Sequence, residues 1–415
     1  MKKVHIIGGG IIGLSSAWFL QKEGFEVTVI DRTDLSDGAS HGNAGMIVPS
    51  HFVPLASPGV VSKGIKWMFN SKSPFFVKPR LNSELTQWLW KFYRSCTVNN
   101  VENSVALLKD YNEQSKALYK NFAEKEGFEF CFEENGLLML FKDSHAGEEE
   151  IQIAEQAKEL GLEVEILNKE EVQLKEKKLK TDVAGGVFYK GDTHLYPNKF
   201  IAEMVNHLKK AGVRFITQNE VVDFSTSNGK IESLLLQNGD IEKIDQLVIA
   251  AGSWSAKLLK KIGIKILLQD GKGYSLTLAD SKMKPTYPTI LSEGKVAMTP
   301  MGNDLRVGGT LEISNFDPRI NQNRLQGIVE SVPRYFPDFE IQKSELDKVW
   351  HGFRPCTPDG LPYLGKSHKF DNLTIATGHA MMGMSLGPAT GRIVSQIILN
   401  RKTDLDLRLM NPDRF

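Results

Sequence analysis

One arginine in the C-terminal part of the chain lies where ordinary surface structure does not need it. Arg354 belongs to HGFRPCTPDGLP, from His351 to Pro362, a stretch too rich in proline and glycine for an ordinary helix. A guanidinium group is planar, permanently charged and able to donate two parallel hydrogen bonds to a carboxylate. The segment therefore predicts a pocket for a carboxylate, and an ion pair between Arg354 and Asp359 is the structural alternative.

A glycine-rich turn near the N-terminus predicts a second kind of site. The stretch VHIIGGGIIGLSSAWFLQKEGFEVTVID, from Val4 to Asp31, has the pattern of a buried strand, a Gly-x-Gly-x-x-Gly turn, a helix and a second strand that ends in an acid. The glycines allow a tight turn and close approach of a pyrophosphate, the helix N-terminus attracts phosphates, and the acid can bind ribose hydroxyls. The unit predicts a dinucleotide, FAD or NAD, held by Gly8, Gly10, Ile11, Ile12, Gly13, Asp31 and Arg32.

The segment that follows Asp31 favours a flavin. A nicotinamide-binding domain would continue with another strand and helix, whereas this chain continues with RTDLSDGASHGNAGMIVPS, a loop of small residues. Small side chains let the backbone lie close to a flat ring system, and AGMIV is typical of a buried segment rather than of a surface loop. The predicted cofactor contacts in this loop are Ser40, Asn43, Ala44, Gly45 and Met46.

Later segments return to the same strand–turn–helix pattern, although purely structural turns are the alternative. The sequence predicts strands over 215–224, 246–249 and 373–376, and a helix from Pro388 to about residue 399. His379, in the last glycine- and methionine-rich loop, is a candidate base, but a packed histidine is the commoner case. The further cofactor contacts predicted here are Val222, Ala251, Gly252, Trp254, Gly378, Met382, Gly383, Met384 and Ser385.

Composition excludes several classes of protein. With 51 Lys and Arg against 50 Asp and Glu the net charge is +1, which argues against nucleic acid as the main partner. The three cysteines are widely spaced, so we expect no disulfide framework, no metal site and a reducing, cytoplasmic location. The N-terminal MKK and the apolar run that follows it are similar to a signal peptide, but the glycines from Gly8 to Gly10 interrupt the run. No other apolar segment has the length of a membrane span.

One stretch suggests contact with the cytoplasmic face of an inner membrane. GVVSKGIKWMFNSKSPFFVKP, residues 59–79, interleaves lysines with aromatic residues, which is the composition of an interfacial anchor. The alternative is a packed helix and loop whose lysines are solvated.

The order and spacing of the motifs along the chain match those of a known protein family. These motifs are the ones quoted above together with GVVSKGIKWMF, GDTHLYPNKF, GKGYSLTL, LRVGGTLEISNF and GPATG. The chain resembles the D-amino-acid-oxidase-like family of FAD-dependent oxidoreductases, and within it the bacterial D-amino-acid dehydrogenase small-subunit group. The resemblance covers nearly the whole chain. It implies an α/β protein in which a Rossmann-type FAD-binding domain is interleaved with an α+β substrate domain, the glutathione-reductase-like fold.

The resemblance also implies an activity. A D-amino acid would lose a hydride from Cα to flavin N5, the imine would hydrolyse to a 2-oxo acid and ammonia, and electrons would pass to an acceptor such as a quinone. Arg354 would bind the substrate carboxylate, while Tyr274 would either assist it or only pack. Some members of the family attach the flavin covalently through a cysteine near this C-terminal region. Cys356 lies at a position where the family varies its residue, so FAD is expected to bind without a covalent bond. No strong protein base is required, and no His/Asp pair occurs at motif spacing.

Three other functions stay open at this point. The chain could be a dehydrogenase of a cyclic D-imino acid such as D-proline or hydroxy-D-proline, a glycine- or sarcosine-type oxidase that uses O₂, or a non-catalytic flavin-binding subunit. The predicted FAD-binding domain comprises 1–80, 186–264 and 346–415, and the predicted substrate-binding domain comprises 81–185 and 265–345.

Overall fold

The computed structural model describes residues 2–415. The strands are β1 (Lys3–Ile7), β2 (Glu26–Ile30), β3 (Met46–Ile47), β4 (Phe75–Val77), β5 (Leu137–Phe141), β6 (Val164–Asn168), β7 (Gly185–Tyr189), β8 (Thr193–His194), β9 (Arg214–Ile216), β10 (Val221–Ser227), β11 (Lys230–Leu236), β12 (Ile241–Lys243), β13 (Gln246–Ile249), β14 (Gln269–Leu278), β15 (Thr289–Leu291), β16 (Val296–Met301), β17 (Asp304–Ile313), β18 (Trp350–Cys356), β19 (Tyr363–Lys366) and β20 (Leu373–Thr377). The α-helices are α1 (Ile11–Lys22), α2 (Val60–Met68), α3 (Ser83–Ser95), α4 (Val98–Glu124), α5 (Ser144–Glu159), α6 (Lys169–Lys175), α7 (Pro197–Lys210), α8 (Ser255–Lys261), α9 (Gln322–Tyr335), α10 (Lys343–Leu346) and α11 (Gly383–Ile398).

The first sheet carries the predicted dinucleotide unit. Its strand order is β19-β20-β13-β1-β2-β9, with β19 antiparallel to β20 and the other pairings parallel. Ile7 at the end of β1 lies between Ile249 of β13 and Ile30 of β2. The strands are short apolar runs because both faces of the sheet are covered. The predicted strand–turn–helix–strand unit, and with it the predicted fold class, is confirmed.

The second sheet is the larger one. Its nine strands follow the order β18-β14-β17-β16-β15-β5-β7-β6, with β4 pairing in parallel with β17. Three of them, β4, β7 and β18, come from ranges that the sequence assigned to the FAD-binding domain. The chain therefore passes between the two sheets several times along its length. Strand β18, which contains Arg354, pairs with β14 along its whole length.

Helices α1 and α11 pack closely against each other beside the first sheet. A Cβ atom at Gly387 would lie 2.4 Å from Cγ1 of Ile11, and one at Gly391 would lie 2.3 Å from the carbonyl carbon of Ser15. The two glycines are four residues apart and so lie on the same face of α11. Their missing side chains let the helix that follows β20 come against the helix that follows β1.

Helix α11 begins at Gly383, not at Pro388 as predicted, and the proline lies inside the helix. An internal proline leaves the carbonyl four residues earlier without its helical N–H partner. That carbonyl belongs to Met384, and it accepts a hydrogen bond from the Tyr119 hydroxyl at 2.6 Å. A side chain of α4 thus satisfies the group that the proline leaves free.

The predicted strand over 215–224 is also wrong, because the chain turns within it. β9 ends at Ile216 and belongs to the first sheet, whereas β10 begins at Val221 and pairs with β11 in a separate three-stranded sheet. Between them the backbone N–H groups of Gln218 and Asn219 donate to the carbonyl oxygens of Thr33 and Asp31, at 2.8 and 3.1 Å. These bonds to the segment after β2 take the chain out of the sheet.

No helix within residues 2–415 is both long enough and apolar enough to cross a membrane.

Candidate active site

A cavity of about 890 Å³ lies between the two sheets. One side of it is formed by the segments that follow β1, β2 and β13, at the carboxyl edge of the first sheet, which is where open α/β sheets bind ligands. The other side is formed by β14, β17 and β18 of the second sheet. The loop over 35–46 and the segment over 379–384 complete the wall.

The glycines of the first turn leave no room for side chains. Gly8 has φ +113°, and a Cβ there would lie 2.4 Å from the carbonyl oxygen of Ala250. A Cβ at Gly13 would lie 1.8 Å from the carbonyl oxygen of Gly8. Helix α1 begins after Gly10, which has no side-chain cap of its own. The turn thus presents bare backbone and a helix N-terminus to the cavity, as a pyrophosphate requires.

Asp31 orders the turn from the end of β2. Its Oδ2 accepts the backbone N–H of Gly9 at 2.6 Å, and its Oδ1 accepts the backbone N–H and the hydroxyl of Thr33, both at 2.8 Å. Oγ of Ser40 accepts the N–H of Ile11, at 3.0 Å, and so ties the small-residue loop to the first turn of α1.

The predicted cofactor loops meet one another around the cavity. The Asn43 side chain donates to the carbonyl oxygen of Met381 at 3.1 Å and accepts the N–H of Gly45 at 2.8 Å. The Arg32 guanidinium lies 3.8 Å from the centre of the Trp254 ring, which joins the end of β2 to the turn after β13. The sequence predicted these segments separately, and the fold brings them into one wall.

Most of the predicted site residues line the cavity. They are Gly8, Gly10, Ile11, Ile12, Asp31, Arg32, Ser40, Asn43, Ala44, Met46, Ala251, Gly252, Trp254, Tyr274, Arg354, His379, Met382, Gly383 and Met384. The residues assigned to the cofactor that lie outside this wall are Gly13, Gly45, Val222, Gly378 and Ser385.

The residues outside the wall contact neighbouring segments instead of the cavity. A Cβ at Gly45, which has φ +72°, would lie 2.2 Å from the carbonyl oxygen of Leu195. The Val222 carbonyl oxygen accepts a hydrogen bond from the ammonium group of Lys261, at 2.7 Å. A Cβ at Gly378 would lie 2.5 Å from Cγ2 of Thr357. The Ser385 hydroxyl donates to Asn112 at 2.6 Å.

Arg354 presents a charged group to the cavity without a counter-ion. Its Nη1 donates to the carbonyl oxygen of Thr310 at 2.6 Å, and no carboxylate of residues 2–415 forms a salt bridge with it. Burial in the wall lowers the pKa of this guanidinium from its usual value, because the charged form loses solvation. A carboxylate entering the cavity would supply the missing partner.

The alternative role of Arg354, an ion pair with Asp359, is wrong. Asp359 is held by Arg414, whose Nε and Nη2 donate to its two carboxylate oxygens at 2.6 and 2.9 Å. Arg414 also donates to the carbonyl oxygen of Leu361, at 2.6 Å. The C-terminal arginine therefore fixes the TPDG turn, and Arg354 stays free for the cavity.

The backbone around Arg354 is shaped to receive it. Strands β14 and β17 change register between Lys272 and Tyr274, and Thr310 on the opposite strand has φ +68°. Such bulges and strained residues are frequent next to active sites. A Cβ at Gly273 would lie 2.1 Å from Nη1 of Arg354, so the guanidinium lies directly over this glycine. The bulge points the Thr310 carbonyl at the arginine, and the glycine leaves it space.

The two other predicted catalytic side chains already have partners. The Tyr274 hydroxyl donates to Glu312 at 2.6 Å and accepts the N–H of Asn321 at 3.0 Å, so the packing alternative describes it better than a bond to substrate. Nε2 of His379 lies 3.1 Å from the Thr390 hydroxyl. Burial lowers the pKa of His379 to about 3, which leaves the ring neutral and a weak base.

Cys356 is buried in the wall next to Arg354 and is a free thiol. Burial raises the pKa of this thiol to about 12, so the nucleophilic thiolate is scarce at neutral pH. This chemistry supports the expectation that the cofactor is held without a covalent bond.

Sequence reasoning missed one group of polar residues at this site. His51 and Lys295 line the cavity, and Ser50 and Asp192 lie behind His51. Nothing in the sequence pattern links these positions, since 141 residues separate His51 from Asp192 (192 − 51).

Comparison with known proteins agrees with the family that the sequence resembles. The chain matches the model of the FAD dependent oxidoreductase family over residues 3–397. It is 31% identical over 397 residues to a D-amino acid dehydrogenase of Helicobacter pylori (strain J99), covering 95% of this chain and 94% of that protein. It is 32% identical over 411 residues to a D-amino acid dehydrogenase of Vibrio atlanticus (strain LGP32), with 97% of each chain covered.

A similar fold occurs in the crystal structure of glycine oxidase from Geobacillus kaustophilus, with a TM-score of 0.79, 23% identity and all of both chains covered. The bare turn after β1, the acid at the end of β2 and the cavity of about 890 Å³ beside them fit a flavin dinucleotide. The chain belongs to the FAD dependent oxidoreductase family, and FAD is its cofactor.

Proposed function

We propose that the protein oxidises D-amino acids to 2-oxo acids and ammonia as a dehydrogenase. The observation that carries the proposal is Arg354, a guanidinium without a counter-ion in the wall of the cavity that the cofactor cradle opens into. A substrate with a free carboxylate fits this group. The D-amino acid dehydrogenases that are 31% and 32% identical along nearly the whole chain support the substrate class.

The residues of the chain perform binding and positioning. The guanidinium of Arg354 holds the carboxylate with charge-assisted hydrogen bonds, and Thr310 and Gly273 fix its direction. The apolar wall excludes water, which strengthens these contacts. FAD, when bound, supplies the acceptor for the hydride that leaves Cα. The substrate amine must be neutral for its lone pair to drive that loss, and the resulting imine hydrolyses to the 2-oxo acid and ammonia.

Anaerobic reduction of the purified flavoprotein tests the proposal. We expect D-amino acids to bleach the flavin absorbance and their L-enantiomers to leave it unchanged. The fixed positions of the arginine and the cofactor cradle favour a single enantiomer, and the D-amino acid dehydrogenases similar to this chain support the D form. Bleaching by D-proline alone would indicate the cyclic imino acid dehydrogenase. Bleaching only by glycine, sarcosine or L-acids, or no bleaching by any amino acid, would refute the proposed substrate class.

We also propose that the electrons pass to a non-oxygen acceptor such as a membrane quinone. Around helix α2, Ile65 is 55% and Phe69 is 89% exposed. Lys63, Lys72 and Lys78 form salt bridges with acids of this chain, so the lysines contribute less to an anchor than the composition of 59–79 predicted. The apolar side chains are the better candidates for contact with lipid.

Co-sedimentation with vesicles that contain anionic lipid tests this contact. We expect the wild type to bind and the double variant Ile65→Ser/Phe69→Ser to bind roughly 100-fold less. Burial of each side chain is worth at least about 1.5 kcal/mol, and about 3 kcal/mol corresponds to that factor. The variant Leu235→Ser, on an exposed strand of the three-stranded sheet, is the control and should bind like the wild type. Wild-type protein that stays in the supernatant would contradict the proposed contact.

A further inference from the structure

Three side chains form a connected line of hydrogen bonds that begins at the cavity. The ring of His51 lines the cavity, and its Nδ1 lies 3.2 Å from Oγ of Ser50. That hydroxyl donates in turn to Oδ2 of Asp192 in a short hydrogen bond. The backbone N–H of Ser50 also donates to Oδ1 of Asp192, at 3.1 Å. Asp192 is 1% exposed, so the line leads from the cavity into the protein.

A two-stranded ribbon brings these residues together. β3 and β8 are antiparallel, with Met46 opposite His194 and Ile47 opposite Thr193. Because the two strands run in opposite directions, the residues that follow β3 lie beside the residues that precede β8. Ser50 therefore meets Asp192, although 142 residues separate them in sequence.

The direction of the hydrogen bonds defines the tautomer of His51. An ionised carboxylate only accepts, so the Ser50 hydroxyl donates to Asp192 and its oxygen accepts from Nδ1–H of His51. The proton of the neutral ring is then on Nδ1, and Nε2 carries the lone pair. Within residues 2–415, Nε2 of His51 has no hydrogen-bond partner. The cavity wall thus contains an imidazole nitrogen with a free lone pair, and a buried acid stands behind that ring.

We infer that His51, Ser50 and Asp192 form a proton relay that takes a proton from the substrate's ammonium group before oxidation. This inference rests on the proposed function. Nε2 of His51 takes the proton, Nδ1 gives its own proton to Oγ of Ser50, and the Ser50 hydroxyl proton moves to Oδ2 of Asp192. The substrate becomes the neutral amine and Asp192 the neutral acid, so one proton is transferred and no electrons move. His51 is the catalytic residue of the relay, and Ser50 and Asp192 are positioning residues.

The surroundings suit the two ends of the relay. Burial raises the pKa of Asp192 to about 7, against the lowering effect of its two bonds to Ser50, and this places the final acceptor near neutral pH. Burial, with a smaller contribution from Lys295, lowers the pKa of His51 to about 4, so the ring conducts the proton without retaining it. The charged and titratable groups around the relay are Glu113 and Lys116 of α4, Tyr189 of β7, and Lys295 with its partner Glu150.

The sign of the pH dependence follows from the acceptor. Asp192 accepts a proton only when it is ionised, so flavin reduction by the substrate should accelerate as the pH rises through about 7 and then level off. An α-amino group is mainly protonated at neutral pH and loses its proton by itself at alkaline pH. A broken relay should therefore slow reduction at neutral pH and have little effect at alkaline pH.

Rapid-mixing measurements of anaerobic flavin reduction, from about pH 5.5 to about pH 10, test the relay in the FAD-bound enzyme at saturating substrate. Each of three variants breaks the relay: His51→Gln, Ser50→Ala and Asp192→Asn. In each, the rate of flavin reduction should be roughly 100-fold lower at neutral pH and should recover towards the wild-type rate at alkaline pH. The inflection of the rate near pH 7 should be absent. Ser115→Ala removes a buried hydroxyl of α4 that has no hydrogen-bond partner within residues 2–415, and should retain the wild-type profile.

Variants with the wild-type profile, or with the same loss at every pH, would overturn the relay. A substrate-independent measurement keeps this test separate from the proposed function. Infrared difference spectra between acidic and alkaline pH should show one protonated carboxyl group that titrates near pH 7 and is absent in Asp192→Asn. The absence of such a group in the wild type would overturn the relay, even if D-amino acids prove to be substrates.

Discussion

Replacing Arg354 with methionine is expected to lower kcat/KM for a D-amino acid by roughly 30- to 5000-fold while FAD stays bound. Methionine keeps much of the side-chain volume but removes from the cavity wall the positive charge that we propose binds the substrate carboxylate. Removing one partner of a buried charged pair costs about 2–5 kcal/mol, which corresponds to that range. Steady-state kinetics and the flavin content of the purified variant measure the two quantities.

Arg354→Lys separates charge from geometry. Lysine keeps the positive charge but not the planar fork, so KM should rise by roughly 10- to 150-fold, as expected for the loss of a charged hydrogen bond of about 1.5–3 kcal/mol. Arg319→Lys, an exposed arginine paired with Asp317, is the control and should leave KM unchanged. An unchanged KM in Arg354→Lys would remove the carboxylate-binding role.

Gly273→Ala tests the same contact without changing the arginine. The new methyl group would lie 2.1 Å from Nη1 of Arg354 and must push the guanidinium away from Gly273. We expect KM to rise with little change in flavin content, since Gly273 is not part of the cofactor cradle. Thermal unfolding measured alongside would show whether the strand tolerates the change, and wild-type kinetics in a folded variant would contradict the described position of the guanidinium.

The second large effect is expected at the cofactor cradle, from Gly13→Ala. The added Cβ would lie 1.8 Å from the carbonyl oxygen of Gly8, so α1 must move away from β1. Overpacking of this kind costs about 1–3 kcal/mol and moves the helix N-terminus that faces the cavity. The variant should purify with little FAD and a lower melting temperature, measured by flavin absorbance relative to protein and by thermal unfolding.

A matched glycine controls for the added methyl group. The nearest atom to a Cβ at Gly191 is 3.9 Å away, so Gly191→Ala should retain FAD and melt like the wild type. Full flavin content in Gly13→Ala would contradict the close packing of α1 on the glycine turn.

The sequence by itself determined the features that depend on local pattern. β2 and β13 lie where the periodicity of apolar residues predicted them, and the glycine turn before α1 has the close contacts that its spacing implied. These predictions succeed because strand periodicity and the steric limits on a turn depend on residues that are near one another in the chain. The unusual context of Arg354 was visible for the same reason.

Only the tertiary structure decided which distant groups meet. Tyr119 satisfies the carbonyl that Pro388 leaves free, so α11 begins earlier than its proline suggested. Arg414 forms the ion pair with Asp359, so the guanidinium of Arg354 has no carboxylate partner and lines the cavity. The β3–β8 ribbon joins Ser50 to Asp192, a pairing that no motif spacing contains. The physical reason is that buried polar groups must find partners, and in this fold those partners come from segments far apart in sequence.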